Sequence, residues 1–247
     1  MKPGLTKPMQ IIRAATLRPS EAAADNDEHR RRHLIVSYGL QEATGNQARG
    51  IKTTFAEPIP GELGWHWHDC LVQLAIVVGG SIDVVFKDAD WRTCRAGDIM
   101  IIPGQAPHNA ARVSGDYEYL ELTFPGDFDT VPCSSPAPGD MVTGTVVGDQ
   151  DAQPGETEGV ERFPLPEGLE SHMRLRLISR GRDIVKGALG DLLLTVVVAG
   201  RCDVEAEGER SELGVFDMLV EQGGSDRATI SNRSADFRAY TIELGSK

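Results

Sequence analysis

Three histidines and a glutamine have the types and spacing to do chemistry. His66 and His68 are two apart in Trp65-His66-Trp67-His68, so on a strand both imidazoles leave from one face. Gln73 opens the next apolar run, and His108 follows a Pro103-Gly104 turn. Neutral imidazole is the commonest side-chain ligand for divalent transition metals, and a third histidine converging on such a pair reads as a metal site. Three imidazoles and an amide, all neutral, leave the charge of the ion uncompensated. Such a site favours an anionic ligand in its open positions and holds Mg²⁺ and Ca²⁺ poorly, because these prefer carboxylate oxygens. Iron, nickel, zinc, cobalt and copper all suit the donors.

The elements that must position these residues are short strands. From Ile51 onward, apolar runs alternate with Gly, Pro and Asp breaks, the pattern of an antiparallel all-β fold. The runs are 51–55, 65–68, 74–78, 82–86, 99–102 and 117–124. With His66 and His68 facing the interior of a barrel, Trp65 and Trp67 face outward. Parity with Gln73 puts Ala75 and Val77 on the inner wall. Ala110 and Arg112 share the face of His108, so Arg112 is a candidate to bind a substrate carboxylate. On the run 117–124, either Tyr117, Tyr119 and Glu121 or Glu118, Leu120 and Leu122 point inward; the second set is preferred as core. Tyr119 is a candidate proton donor. Cys70 lies between His68 and Gln73 and reads as a buried, inert thiol.

Residues 1–50 read as an arm that is helix-compatible and charged over 21–33, where His29 and His33 stand four apart on a solvated face. Residues 51–130 read as the metal-binding barrel, and 131–160, rich in Pro, Gly, Asp and Ser, as a linker. The last segment, 161–247, repeats the first barrel. Leu74-Ala-Ile-Val-Val matches Leu194-Thr-Val-Val-Val at a displacement of 120 residues, which also puts Gly80 on Gly200 and Asp83 on Asp203. At the same displacement, or one residue less, His66, His68, Gln73 and His108 become Lys186, Ala188, Leu193 and Arg227. The second copy is therefore expected to hold no metal, and its His172 reads as a packing or surface residue.

A formal net charge of −12 argues against nucleic acid and anionic membranes as partners. Four cysteines without a CxxC pair, no signal-like segment and no run of membrane-spanning length lead to the expectation of a reduced, cytoplasmic protein.

The motif residues resemble the cupin superfamily. Its first motif is approximated by Gly61, His66, His68, Gln73 and Gly80, with Gln73 where a glutamate is usual. Its second is approximated by Gly97, Pro103 and His108, with Gly104-Gln105 in place of x-Gly and Arg112 in place of Asn. The resemblance implies two double-stranded β-helix (jelly-roll) barrels, a divalent metal in the N-terminal one with iron favoured, and a homodimer. It implies a small anionic organic substrate, with an Fe(II)-type dioxygenase as the leading activity. A non-redox isomerase, cyclase or lyase, or a non-catalytic binding protein, stands as the alternative.

Overall fold

The computed structural model describes residues 9–17, 33–86, 90–134, 142–155, 160–179, 192–206, 208–222, 228–231 and 233–245. The described residues are almost entirely antiparallel β-structure, as the alternation of apolar runs and turn residues dictates. They form two units: residues 17–150, and residues 151–247 together with 1–16. The stretch read as an arm is thus not one piece. Met9–Ile12 is a strand paired with Met218–Glu221, whereas His33–Ser37 pairs with Arg49–Phe55. Likewise Thr130–Pro132 and Thr145–Val147, expected in a linker, are strands of the first unit. His29 lies outside the described residues.

The first unit is two six-stranded antiparallel sheets. One runs Thr145–Val147, Ile99–Pro103, Val72–Gly79, Glu118–Phe124, Arg49–Phe55, His33–Ser37. The other runs Thr130–Pro132, His66–His68, His108–Val113, Ser81–Phe86, Arg92–Arg95, with Ile59–Glu62 also on His108–Val113. Inner faces of both meet in one core: Ala75, Val77, Met100, Ile102 and Tyr117 from the first, Ile82, Val84, Phe86, Cys94 and Val113 from the second. Strand Val72–Gly79 is apolar on both faces because both are covered. Its outward residues Leu74 and Ile76 stand beside Leu122 and Leu120, which are fully buried.

Register settles which residues of Glu118–Phe124 look inward. Tyr119 stands across from Val77 and Glu121 from Ala75, so Tyr117, Tyr119 and Glu121 share the inner face. This corrects the preference for Glu118, Leu120 and Leu122. Leucine burial was the misleading cue: Leu120 and Leu122 are buried on the opposite face, where Leu40 of the short helix Leu40–Thr44 packs over Gly50 beside Leu122.

In the second unit, the strand order Met218–Gln222, Leu192–Ala199, Arg238–Leu244, Met173–Ile178, Val160–Arg162 parallels the first sheet of the first unit. Gly80 and Gly200 fill the same hairpin position with φ of 62° and 66°. A Cβ on either would strike the following turn, at 2.7 Å from Tyr117 Cα and 2.8 Å from Phe237 Cα. The repeat seen in the sequence is therefore a repeat of strand order and turn geometry. Lys186, Ala188 and Arg227 lie outside the described residues, and Leu193 is buried at 5 % exposure.

The loop before His108 is clasped to the turn after His68. Gln105 N–H donates to the His68 carbonyl and Gly104 N–H to the Leu71 carbonyl, each at 2.9 Å. Any side chain at 104 would place its Cβ 1.7 Å from the Cys70 carbonyl oxygen, so only glycine fits. Gln105, where the motif has glycine, is held at φ 64°. A left-handed backbone costs a residue with a Cβ about 1–2 kcal/mol. Gln105→Gly is therefore expected to stabilise the protein by about 1 kcal/mol, net of the glycine's greater freedom when unfolded. Gly104→Ala is expected to destabilise it by about 2–4 kcal/mol. Urea unfolding midpoints of the two variants, moving in opposite directions, check both.

Candidate metal centre

His66 and His108 are direct cross-strand partners, and their ring centroids lie 4.3 Å apart. His68, two residues along the same strand face, brings its ring to 5.0 Å from His66 and 5.2 Å from His108. One ligating nitrogen from each of the three can be chosen so that all lie within 4.8 Å of one another. Among the described residues this is the one such cluster of His, Cys, Asp or Glu.

Each imidazole uses its Nδ1 away from the cluster. His66 Nδ1 is 3.0 Å from the Gly64 carbonyl, His108 Nδ1 is 3.0 Å from the Ala106 carbonyl, and His68 Nδ1 is 3.1 Å from Thr130 Oγ1. A carbonyl can only accept, so His66 and His108 carry their protons on Nδ1 and keep a lone pair on Nε2. This is the tautomer that binds a metal, with its orientation fixed from outside. Gly64 is held in turn: its N–H donates to Asn109 Oδ1 at 2.9 Å, and Asn109 Nδ2 donates to Glu62 at 2.6 Å.

Among the buried polar atoms of this interior without a hydrogen-bond partner are His68 Nε2 and Gln73 Oε1, beside the hydroxyls of Thr53, Tyr117 and Thr123. Orphaned buried polar atoms are costly, and a metal ion is a group that accepts lone pairs from both an imidazole nitrogen and an amide oxygen. The donor set therefore fits a divalent transition metal. Gln73 is on the inner face of the opposing sheet, at 7 % exposure, and its amide is hydrogen-bonded to the Glu121 carboxyl.

Burial is also the main electrostatic force here. It lowers His68 to about 4, helped by the charges of His66 and Arg49, and His108 to about 3, helped by His66 against the Ala106 hydrogen bond. Both are neutral near pH 7, as ligands must be. Burial pushes the Glu121 carboxyl up despite Arg49 and Gln73, and raises the Tyr119 phenol, with Glu121 adding to the effect. It also pushes the Cys70 thiol up to about 12, so Cys70 is neither a thiolate ligand nor a nucleophile near neutral pH.

The two residues proposed for catalysis fare differently. Tyr119 is half-buried on the inner face and stacks on Tyr117 at 5.1 Å. Arg112 is not in the interior. The register of His108–Val113 slips between Ala111 and Val113, Arg112 takes φ 49°, and this bulge sends Val113 inward in its place. Its guanidinium pairs with Asp83 and lies 5.1 Å from the Trp91 ring, with over half its side chain exposed. Strict alternation fails wherever a strand is bulged, and nothing local in Ala110-Ala111-Arg112-Val113 announces it.

Four contributors escaped the sequence reading. Thr130 is the last residue of the segment read as the barrel, where no role was assigned to it, and Phe128 meets His68 edge-on at 5.4 Å. Arg49 and Glu121 lie on flanking strands whose inner faces only the register identifies. The usable signal was parity with Tyr119, which also selects Glu121.

No family model and no curated protein matches the chain by sequence. Solved structures do match. Protein YlbA from E. coli is 10 % identical with a TM-score of 0.64, over 97 % of this chain and 92 % of that one. Oxalate decarboxylase from Bacillus subtilis, whose Mn(II) centres have been characterised, is 12 % identical with a TM-score of 0.60, over 99 % and 79 %. The 7S globulin of Momordica charantia is 12 % identical with a TM-score of 0.61, over 96 % and 84 %. These are cupin-fold proteins, and at such identities the likeness establishes the fold. The chain has the cupin fold, and its three-histidine cluster can hold a metal.

His68→Ala and His108→Ala are each expected to abolish stoichiometric Co(II) binding while the far-ultraviolet circular dichroism stays β-rich; calorimetric titration reads the first. Thr130→Val removes the hydroxyl partner of His68 Nδ1 and is expected to weaken Co(II) about 10–100-fold. In the unfolded chain both buried histidines titrate near about 6.5. The unfolded state thus binds more protons below that pH, so the metal-free protein should lose stability as pH falls from about 6.5 towards 4. Urea unfolding at stepped pH measures the slope.

Proposed function

We propose that the chain is a metal-dependent enzyme acting on a small anionic organic substrate, with oxygenation at an iron(II) centre as its leading chemistry. His66, His68 and His108 would hold the ion, with Gln73 Oε1 as the fourth donor. The observation that carries the reading is the triad itself: every Nδ1 is tied to an outer partner, and one nitrogen from each of the three rings lies within 4.8 Å of the others. The metal would polarise substrate oxygens as a Lewis acid and, as iron, exchange single electrons with O₂.

The chain's own groups supply the rest. Because no carboxylate is among the four donors, an anionic substrate gains more than a neutral one on binding. Burial pushes the Glu121 carboxyl up beside Gln73, and Tyr119 carries a proton on its phenol. Ala75, Val77, Met100 and Ile102 keep the surrounding interior apolar, which excludes water and strengthens each polar contact.

Non-redox lyase, isomerase or cyclase chemistry is the second reading. It is favoured by the Tyr119 phenol and the Glu121 carboxyl sharing one inner face, and by the likeness to a decarboxylase with Mn(II) centres. The second unit is read as a metal-free copy of the first barrel: the strand order and hairpin turn match, and buried Leu193 stands where the first has Gln73. Among the described residues no helix is long and apolar enough to cross a membrane. A homodimer in the cytoplasm is the setting proposed for this enzyme, and sedimentation velocity reads the assembly.

Protein purified without chelator or nickel resin is expected to carry stoichiometric iron by elemental analysis. It is expected to consume oxygen with a β-diketone or hydroxylated aromatic acid. A metal other than iron, with turnover under anaerobic conditions, selects the non-redox reading; absence of bound metal overturns both. Gln73→Glu is expected to retain metal yet weaken azide binding about tenfold or more, because it adds a negative charge beside the ion. Unchanged azide affinity would show that Gln73 is not a donor.

A further inference from the structure

Arg49 stands at the start of strand Arg49–Phe55, across from Thr123, and Thr123 in turn stands across from Gln73. Its guanidinium carbon is 5.3 Å from the centroid of the Phe128 ring. The same ring meets His68 edge-on, with centroids 5.4 Å apart and planes at 87°. One phenyl ring therefore touches both the guanidinium and the triad. The charge of Arg49 is felt at His68, Tyr119 and Glu121, which places it among the groups of the interior.

The fork of this guanidinium is open. Arg49 is half-buried, and among the described residues its side chain makes no hydrogen bond and no ion pair; its guanidinium lies over the Phe128 ring. Arg112 has Asp83 and Trp91 for partners and Arg176 has Glu243. A guanidinium presents five N–H donors in a planar arrangement that matches a carboxylate with two parallel hydrogen bonds. Stacking on an aromatic ring pre-orients it without using those donors.

We propose that Arg49, held on Phe128, anchors a carboxylate of the substrate and so directs a second oxygen donor of the same molecule toward His66, His68 and His108. The ligand class is a short dicarboxylate, or an oxo- or hydroxy-acid of similar length. The metal-facing half of this assignment rests on the metal-site reading; the guanidinium half does not.

Malonate and azide are the probes, titrated into Co(II)-loaded wild-type protein, Arg49→Gln and Arg49→Lys and followed by the visible Co(II) bands. Azide reports the metal alone. Arg49→Gln is expected to keep stoichiometric Co(II), to weaken malonate at least about tenfold, and to change azide far less. Arg49→Lys, which keeps the charge but not the fork, is expected to fall between. It also carries the test should the glutamine variant not fold. Equal malonate affinity in wild type and variant overturns the anchor while leaving the metal reading intact. An equal loss of malonate and azide also overturns it, because the effect would then be one of charge on the ion. If wild-type protein takes up no Co(II), the metal reading fails. Calorimetry of millimolar malonate on the metal-free protein then decides the anchor: heat that vanishes in Arg49→Gln upholds it, and no heat in wild type overturns it.

Discussion

Burying an acceptor without a donor is among the more expensive things a folded chain can do, and His68 and Gln73 both do it inside one barrel. His68 Nε2 and Gln73 Oε1 are buried without hydrogen-bond partners, on opposing sheets of one barrel. Each such group costs on the order of 1–3 kcal/mol. The surroundings make sense as a means of keeping those lone pairs free. Every Nδ1 of the triad is occupied from outside, Gln73 has its amide engaged by Glu121, and burial keeps His68 and His108 unprotonated. The three-histidine cluster beside them can hold a metal ion, to which such lone pairs are available.

That arrangement depends on two mechanical features. Direct pairing of His66 with His108 sets two rings of the triad by register. The clasp between the loop 103–105 and the turn 68–71 then sets where His108 enters, through two backbone hydrogen bonds and an approach that only Gly104 permits. Gln105 tolerates a left-handed backbone in the same loop. Strain at such a place persists because the structure around it over-determines the conformation.

The inner face of the first barrel is graded. One end of the Val72–Gly79 strand offers Gln73 and its neighbours Thr123 and Arg49, while the other offers Val77 beside Tyr119. Polar and ionisable groups gather beside the histidines, and the apolar core lies further along. In the second unit the corresponding face carries Leu193, and a buried Arg176–Glu243 pair closes on itself. The same strand order thus presents Gln73 in one unit and a buried Leu193 in the other.

The all-β architecture, the repeat, and His66, His68 and His108 were readable from residue types and spacing alone. Alternation and turn residues are local signals, and a His-x-His pair fixes its own shared face whatever the fold around it. Arg112 was misplaced because a bulge is a property of two paired strands, not of one. Leu120 and Leu122 misled because hydrophobicity reports burial but not which side is buried, and this sheet is covered on both. Thr130, Phe128, Arg49 and Glu121 join the site from strands and loops far apart in the chain, brought together by register and loop closure. The sequence by itself therefore determined the donors and the kind of fold that presents them. Only the tertiary structure decided their tautomers, their burial and which charged groups face them, because these depend on contacts between segments that local pattern does not encode.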